Sequence, residues 1–144
     1  MADKPEVVIY TDGACRDNPG PGGWAAILKF GKNEREIFGG EKETTNNRME
    51  LRAALEALRL LNEPCQVTLY TDSTYLKKGI TEWLPGWKRR HWRRKGGKLA
   101  NVDLWMKLDE EIERHEVYWR WVRGHAGNRL SDRVDKLARK AIPS

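Results

Sequence analysis

Polar and apolar residues alternate along several short stretches of the chain, and this spacing predicts β-strands. The predicted strands are Glu6–Asp12, Trp24–Phe30, Glu34–Phe38, Gln66–Thr71 and Glu116–Val122. The sequence Gly31-Lys32-Asn33 separates the second and third strands and predicts a hairpin. The glycine- and proline-rich stretch Asn18–Gly23 predicts a turn.

Apolar residues recur every three or four positions in other stretches, which predicts helices. The predicted helices are Asn46–Leu61, Ser73–Trp83, Val102–Glu113 and Leu130–Ala141. We expect Pro85-Gly86 to stop the second of them. The resulting order, β-β-β-α-β-α-α-β-α, predicts an α/β fold with a mixed sheet, in which an antiparallel meander is followed by parallel strands with right-handed crossovers.

Size and composition narrow the class of protein. A chain of 144 residues, 39% hydrophobic and 33% charged, fits one domain spanning residues 1–144 and is too apolar for a disordered tail. The longest apolar run, Trp24–Leu28, is far shorter than the roughly 20 residues of a membrane span, and the first residues lack a signal-peptide pattern. Cys15 and Cys65 form no CxxC motif, which favours a reduced, cytoplasmic location without disulfides.

The net charge of +6 is concentrated in one part of the chain. Residues 77–98, here called the basic segment, carry nine lysines and arginines and one acid, while the remainder is slightly acidic. Trp83, Trp87 and Trp92 lie within the basic segment. Cationic and aromatic side chains together favour a nucleic-acid partner. The alternative is a solvated basic face whose tryptophans belong to the core.

The tripeptide Tyr-Thr-Asp occurs twice, ending in Asp12 and Asp72, each time at the carboxyl end of a predicted strand. If the two strands are parallel neighbours, the two carboxylates lie side by side at the edge where open α/β sheets bind ligands. Like charges at that distance repel, so a proton or a divalent cation such as Mg²⁺ must neutralise them. The alternative is that each aspartate caps the turn that follows it.

Two further acids are candidates for the same cluster. Glu50 lies in the first turn of a predicted helix, although Asn47 and Glu50 also match a capping-box pattern. Asp135 lies at the margin of the apolar face of the last helix, although Arg139 is an alternative partner four residues on. Asp132 is a competitor on the outer side of that helix. The spacing alone does not decide between these roles.

One of the three histidines is the remaining candidate for acid–base chemistry. His125 lies in the loop Arg123–Gly127, before the last predicted helix, where it could move a proton near neutral pH if the loop approaches Asp135. The alternative is an exposed loop histidine. His91 and His115 have polar neighbours in the sequence and are interpreted as surface residues.

Six short segments occur in a recognisable order from about residue 6 to residue 140. They are Tyr10–Gly13, Asn18–Gly23, Thr44–Leu51, Tyr70–Ser73, Asn101–Trp105 and Gly124–Gly127. In this order they resemble the motifs of bacterial type 1 ribonucleases H, and Asp135 falls at the matching place in the last helix. The resemblance implies a five-stranded mixed sheet with helices on both faces, and an endonuclease that hydrolyses the RNA strand of RNA–DNA hybrids.

The resemblance also implies roles for individual residues. Two Mg²⁺ ions, or Mn²⁺ in their place, would be held by four carboxylates, those of Asp12, Glu50, Asp72 and Asp135. His125 would assist proton transfer or product departure, and the products would carry a 5′-phosphate and a 3′-hydroxyl. A monomer without an obligate protein partner is expected.

Substrate contacts follow from the same resemblance. The matching positions near the carboxylates are Cys15, Asn18, Thr45, Asn46, Asn47 and Thr74. Thr45 matches a contact to a DNA phosphate, and we hypothesise that Asn46, Glu50 and backbone groups near Cys15 read the RNA 2′-hydroxyl. Residues 84–98, here called the handle, match a protruding substrate-binding element. Its matching side chains, with the one that precedes it, are Trp83, Trp87, Lys88, Arg89, Arg90 and Trp92.

The chain departs from the family pattern at two positions. Ser131 stands where many relatives have Asn, and Thr74 stands where several have Gln, so individual hydrogen bonds of the family differ here. Two other functions remain open from the sequence. One is a non-catalytic hybrid-binding module, which loss of a carboxylate would favour; the other is a transposase-like nuclease, which a glutamate in the last helix would favour.

Overall fold

The structure is a computed structural model that describes residues 4–93, 99–122 and 129–144. The strands are β1 (Glu6–Cys15), β2 (Gly20–Phe30), β3 (Asn33–Thr44), β4 (Gln66–Thr71) and β5 (Glu116–Trp121). The helices are α1 (Asn46–Leu60), α2 (Thr74–Lys78), α3 (Leu84–Arg89), α4 (Val102–Arg114) and α5 (Arg129–Lys140). A π-helical turn, Gly79–Trp83, joins α2 to α3. No helix among these residues is long and apolar enough to cross a bilayer.

The five strands form one mixed sheet in the order β3-β2-β1-β4-β5. Strands β1, β2 and β3 pair antiparallel, whereas β4 pairs parallel with both β1 and β5. The register places Tyr10 opposite Tyr70. The predicted meander, followed by parallel strands, is therefore confirmed, and the two Tyr-Thr-Asp sequences lie on neighbouring strands.

Helices cover both faces of the sheet, as the resemblance implies. On one face Ile9 and Leu69 pack with Leu55 of α1 and Leu108 of α4 in the larger core. On the other face Tyr10, Ala25 and Ile27 pack against Val134 and Ala138 of α5. The alternation of side chains along β1 sends Ile9 to the first layer and Tyr10 to the second. Helices α1 and α5 therefore lie on opposite faces of β1.

The predicted turn at Asn18–Gly23 is wrong in part, because β2 already begins at Gly20. A Cβ at Gly23 would lie 2.2 Å from the carbonyl oxygen of Ala138, and one at Gly22 would lie 2.5 Å from the Thr44 side chain. These glycines allow α5 and the end of β3 to approach the strand closely. Glycine is favoured both in a turn and in a strand that another backbone approaches closely, so the sequence did not distinguish the two at Gly22 and Gly23.

The helical region after β4 does not stop at Pro85-Gly86 as predicted. It continues through the π-helical turn into α3, and Pro85 lies in the first turn of α3, where its missing N–H costs no hydrogen bond. Gly79 begins the π-helical turn, and a Cβ there would lie 2.0 Å from the Trp105 ring. The wider turn therefore accompanies close packing of this region on α4.

Candidate active site

Asp12 and Asp72 lie just beyond the last parallel pair of β1 and β4, Tyr10 with Tyr70. The predicted end of the first strand at Asp12 is wrong, because β1 continues to Cys15 in antiparallel pairing with β2. Below them the rings of Tyr10 and Tyr70 stack with their centroids 4.6 Å apart and their planes 6° from parallel. Asp12 is only 6% exposed and accepts a hydrogen bond from the backbone N–H of Gly13 at 2.9 Å. The prediction that the two carboxylates lie side by side is confirmed, because their oxygens belong to one cluster.

Glu50 joins this cluster from α1. The side chain of Thr45, not of Asn47, caps α1 by accepting a hydrogen bond from the backbone N–H of Arg48, so the capping-box alternative for Glu50 is wrong. Gly13 lets the helix approach β1, because a Cβ there would lie 2.6 Å from the backbone nitrogen of Glu50. One carboxylate oxygen each from Asp12, Glu50 and Asp72 lies within 4.8 Å of the others.

Asp135 reaches the same place from α5. Its carboxyl group interacts with that of Asp12 and raises the pKa of Asp12, and its Oδ2 also lies 3.1 Å from Nη2 of Arg139. Both predicted relationships of Asp135 therefore occur together. Asp132, the competing acid, is exposed to solvent. All four predicted carboxylates line one open cleft of about 290 Å³.

Burial and mutual repulsion shift the protonation of the cluster. Desolvation, followed by the charge of Asp72, raises the pKa of Asp12 to about 7. Desolvation also raises the pKa of Glu50 well above its ordinary value, and the charges of Asp12 and Asp72 add to this effect. Oε1 of Glu50 is buried and has no hydrogen-bond partner among the described residues.

The donor set fits a hard divalent cation. Carboxylate oxygens are the ligands that Mg²⁺ prefers, and a cation removes both the repulsion and the desolvation cost of the charged forms. The unpartnered Oε1 of Glu50 supplies a buried oxygen that such an ion would satisfy. Asp12, Glu50 and Asp72 could therefore bind a metal ion, with Asp135 beside them.

Several predicted substrate contacts surround the carboxylates. Asn46, Asn47 and Thr74 are exposed and line the cleft. Asn18 is exposed and accepts a hydrogen bond from the backbone N–H of Asn46 at 3.0 Å. Cys15 is half-buried, and its Sγ donates to the carbonyl oxygen of Thr44 at 3.5 Å. The hydroxyl of Thr45 is occupied in capping α1, as described above.

The three tryptophans of the basic segment pack in or against the larger core. Trp87 is 9% exposed and packs on Trp83, Trp92 and Trp105, with ring centroids 5.7, 6.5 and 5.3 Å away. The indole of Trp87 thus fills the space between α3 and α4, and its contact with substrate stays a prediction. Trp83 and Trp92 are half-buried and also pack against the core, so the alternative of core tryptophans applies to this cluster.

The basic side chains of the handle divide into two kinds. Lys88 forms ion pairs within the protein, since its Nζ lies 2.7 Å from Oε1 of Glu113 and 3.3 Å from Oδ1 of Asp109. Arg89 and Arg90 are exposed at the end of α3. The predicted charged surface is thus present at these two arginines, while Lys88 ties α3 to α4. Residues 94–98 lie outside the described residues.

Two other predictions concern the region around α5. His125 lies outside the described residues. Ser131 is buried within α5, so the difference from the family pattern lies in the interior of the helix and not at its cap.

The sequence assigned no site role to three residues that line the cleft, Gly13, Ser73 and Tyr75, although the first two lie in the segments that carry the resemblance. The Ser73 side chain caps α2 by accepting a hydrogen bond from the backbone N–H of Leu76 at 3.0 Å. Tyr75 is the second residue of the same helix. A polar residue directly after Asp72 was the available signal for Ser73; nothing in the local pattern marked Tyr75.

Comparison with known proteins agrees with this geometry. Residues 4–143 match the model of the RNase H family. The Ribonuclease H of Hahella chejuensis is 60% identical over 137 residues, covering 94% of this chain and 93% of the relative, and that of Bradyrhizobium diazoefficiens is 57% identical over 143 residues, covering 99% and 93%. The crystal structure of LC9-RNase H1, described as a type 1 RNase H with the type 2 active-site motif, superposes with a TM-score of 0.89 at 35% identity, covering 99% of this chain and 74% of that one. The chain therefore belongs to the RNase H family and is an endoribonuclease.

Proposed function

We propose that this protein hydrolyses the RNA strand of RNA–DNA hybrids, leaving 5′-phosphate and 3′-hydroxyl ends, with Asp12, Glu50, Asp72 and Asp135 holding two Mg²⁺ ions. The observation that carries the proposal is the cluster of three carboxylates within 4.8 Å, two of them buried, in an open cleft of a member of this family. The number of ions follows from the family resemblance. Mn²⁺ offers the same ligand preference and is an alternative metal.

Bound divalent ions would supply a metal-activated water and stabilise charge on the attacking and leaving oxygens. The chain's own residues prepare the place for this chemistry. The raised pKa of Asp12, about 7, means that this carboxyl is about half protonated at pH 7, and a bound cation would displace that proton. Binding of the metal and release of protons are therefore coupled at this site.

Preference for RNA requires groups that touch the 2′-hydroxyl. We assign this role to Asn46, Glu50 and backbone groups near Cys15. Asn46 and Glu50 lie four residues apart on α1, hence on one face, and both line the cleft. The hydrogen bond from the backbone N–H of Asn46 to Asn18 supports this assignment, because it joins the start of α1 to the loop between β1 and β2.

The handle supplies the cationic surface for the hybrid. The exposed guanidinium groups of Arg89 and Arg90 suit contacts to phosphates, whereas Trp87 and its neighbours give the handle a packed base. Phosphate contacts make binding depend steeply on salt. The role of His125 in moving a proton or releasing product remains part of the proposal on the strength of the resemblance.

Labelled RNA–DNA, RNA–RNA and DNA–DNA duplexes test the proposal, each incubated with Mg²⁺ or with a chelator. We expect only the RNA–DNA hybrid to be cleaved, and only when Mg²⁺ is present and not chelated. A polymerase should then extend the cut RNA, because extension requires a 3′-hydroxyl. Asp12→Asn should abolish cleavage. Asp132→Asn is the matched control, because it removes an exposed aspartate from outside the cleft and should leave the rate unchanged.

The other outcomes separate the alternatives. Hybrid binding by the wild-type protein without cleavage in any metal would indicate a non-catalytic binding module, and cleavage of DNA ends would indicate a transposase-like nuclease. Repeating the assay in Mn²⁺ decides the metal preference. We also propose a monomer that acts in the cytoplasm with both cysteines reduced, which sedimentation and cell fractionation would test.

A further inference from the structure

A forked ion pair joins the first turn of α1 to the start of α4. Nη1 and Nη2 of Arg48 donate to the two carboxylate oxygens of Asp103 at 3.0 and 2.8 Å. Nη1 of Arg48 also donates to Oδ1 of Asn101 at 3.2 Å. Arg48 lies two residues before Glu50, so this contact fixes the end of the helix that brings Glu50 into the cleft.

The connection continues to the opposite wall of the cleft. Nδ2 of Asn101 donates to the hydroxyl of Tyr75 at 3.0 Å, and Nε1 of Trp105 donates to the same hydroxyl at 3.0 Å. Tyr75 lines the cleft from α2. Asn101 has a left-handed backbone conformation with φ of 58°, and its side chain does not cap α4. That side chain instead links Arg48 to Tyr75.

Helix α4 is also the support of the handle. Lys88 of α3 pairs with Asp109 and Glu113 of α4, and the Trp87 ring packs edge to face on Trp105. The described part of the handle, residues 84–93, is therefore attached to α4, and α4 is attached to the cleft by Arg48 and Asn101. Displacement of α4 would move the handle relative to the four carboxylates.

We propose that Arg48 and Asp103 are positioning residues that hold the handle at a fixed place relative to the carboxylate cleft, so that the pair sets how tightly and in which register an RNA–DNA hybrid is held. The inference rests on the proposed function for the identity of the substrate. Neither residue needs to touch the reacting phosphate.

The exposure of the pair predicts an effect on substrate more than on stability. The Asp103 side chain is 58% exposed and that of Arg48 is 28% exposed, and ion pairs of this kind contribute little to the free energy of folding. The three hydrogen bonds of Arg48, in contrast, require a specific geometry of the donor groups. Lysine cannot bridge both oxygens of Asp103 and the amide of Asn101 at once, because it lacks the planar fork of arginine.

The test compares Arg48→Ala, Arg48→Lys and the exchanged pair Arg48→Asp with Asp103→Arg. Arg52→Ala is the matched control, since Arg52 lies one turn further along α1 and pairs with Glu56 at 3.2 Å and Glu41 at 3.5 Å, away from α4. For each variant we would measure kcat and KM on an end-labelled hybrid, the positions of the cuts, the dissociation constant for the hybrid in chelator, and the melting temperature.

We expect Arg48→Ala and Arg48→Lys to raise KM and the dissociation constant about fivefold and to spread the cuts over more positions, with kcat within about twofold of wild type. The exchanged pair should recover part of the loss, and melting temperatures should match that of Arg52→Ala. If Arg48→Ala differs from Arg52→Ala in neither affinity nor cut positions, the inference is wrong. Absence of cleavage by the wild-type protein would instead contradict the proposed function, and the affinities in chelator would still decide the role of the pair.

Discussion

Replacing Asp12 by asparagine should stabilise the metal-free protein while it abolishes cleavage. Burial and the charge of Asp72 raise the pKa of Asp12 from 3.8 to about 7, so the folded state resists its ionisation. Asparagine has nearly the same shape and carries no charge. The substitution therefore removes a repulsion and a desolvation cost without creating a cavity.

The size of the effect follows from the shift in pKa. One pKa unit corresponds to about 1.4 kcal/mol, so full ionisation of Asp12 in the folded state costs on the order of 4 kcal/mol. Glu50, whose pKa is also raised and which interacts with Asp12, takes up part of the change in protonation when Asp12 is replaced. We therefore expect Asp12→Asn to raise the free energy of unfolding by about 1–3 kcal/mol at pH 8.

The pH dependence has a defined sign. A carboxyl whose pKa is raised by folding destabilises the protein as pH rises from the unfolded value, 3.8, to the folded value, about 7. The advantage of Asp12→Asn should thus be largest above pH 7 and should disappear near pH 4. Wild-type stability should rise with added Mg²⁺, and that of the variant should rise less.

Urea unfolding in chelator at pH 4, 6 and 8 measures these differences, with Asp132→Asn as the control for loss of an exposed aspartate. A marked fall in the stability of Asp12→Asn at pH 8 would refute the reasoning, because it would show that Asp12 is held by favourable contacts. A gain of equal size in Asp132→Asn would show that general charge, and not the cluster, is responsible.

Three further predictions test other parts of the site and fold. Asn46→Ala should lower the rate of hybrid cleavage about tenfold, and an unchanged rate would mean that Asn46 does not read the RNA strand. The double variant Arg89→Ala and Arg90→Ala should bind the hybrid more weakly and lower the slope of log affinity against log salt by about two, whereas Lys32→Ala, in the turn between β2 and β3, should not. His115 is buried and burial lowers its pKa below 6.5, so its contribution to stability is present above pH 6.5 and is lost as pH falls below that value. The difference in stability between wild type and His115→Gln should therefore shrink from pH 7.5 to pH 5; a constant difference would contradict a neutral buried imidazole.

The neighbouring positions of Asp12 and Asp72 could be predicted from the sequence because their cause is local. The alternation of side chains along a strand fixes the face of each residue, and a tripeptide repeated in two strands needs only parallel pairing to bring its carboxylates together. The register of Tyr10 with Tyr70 supplies that pairing. For Glu50, local spacing was insufficient, because it fits a capping box equally well; the cap at Thr45 and the approach of α1 over Gly13 decide the matter.

His115 and Trp87 show what local patterns cannot reveal. His115 has polar neighbours in sequence, yet its Nδ1 accepts a hydrogen bond from the backbone N–H of Cys65 at 3.0 Å, and its Nε2 lies 3.1 Å from the carbonyl oxygen of Leu58. The prediction of a surface histidine is therefore wrong. Trp87 lies among cations in sequence but packs on Trp105 of α4. In both cases the deciding partner is distant along the chain, so no short window contains it.

Some carboxylates of the protein have a lowered pKa and others a raised pKa, and this contrast identifies the functional ones. Asp103 receives the fork of Arg48, which lowers its pKa to about 2. Asp12 is more deeply buried and lies among other acids, and burial together with the charge of Asp72 raises its pKa to about 7. Glu50 is buried with one oxygen lacking a partner among the described residues. A fold able to place an arginine beside one aspartate could place another in the cleft, where it would relieve the repulsion between the buried acids. The retained, uncompensated acids are explained if a cation from solution completes the site, because the charge that destabilises the free protein is then the charge that binds the metal.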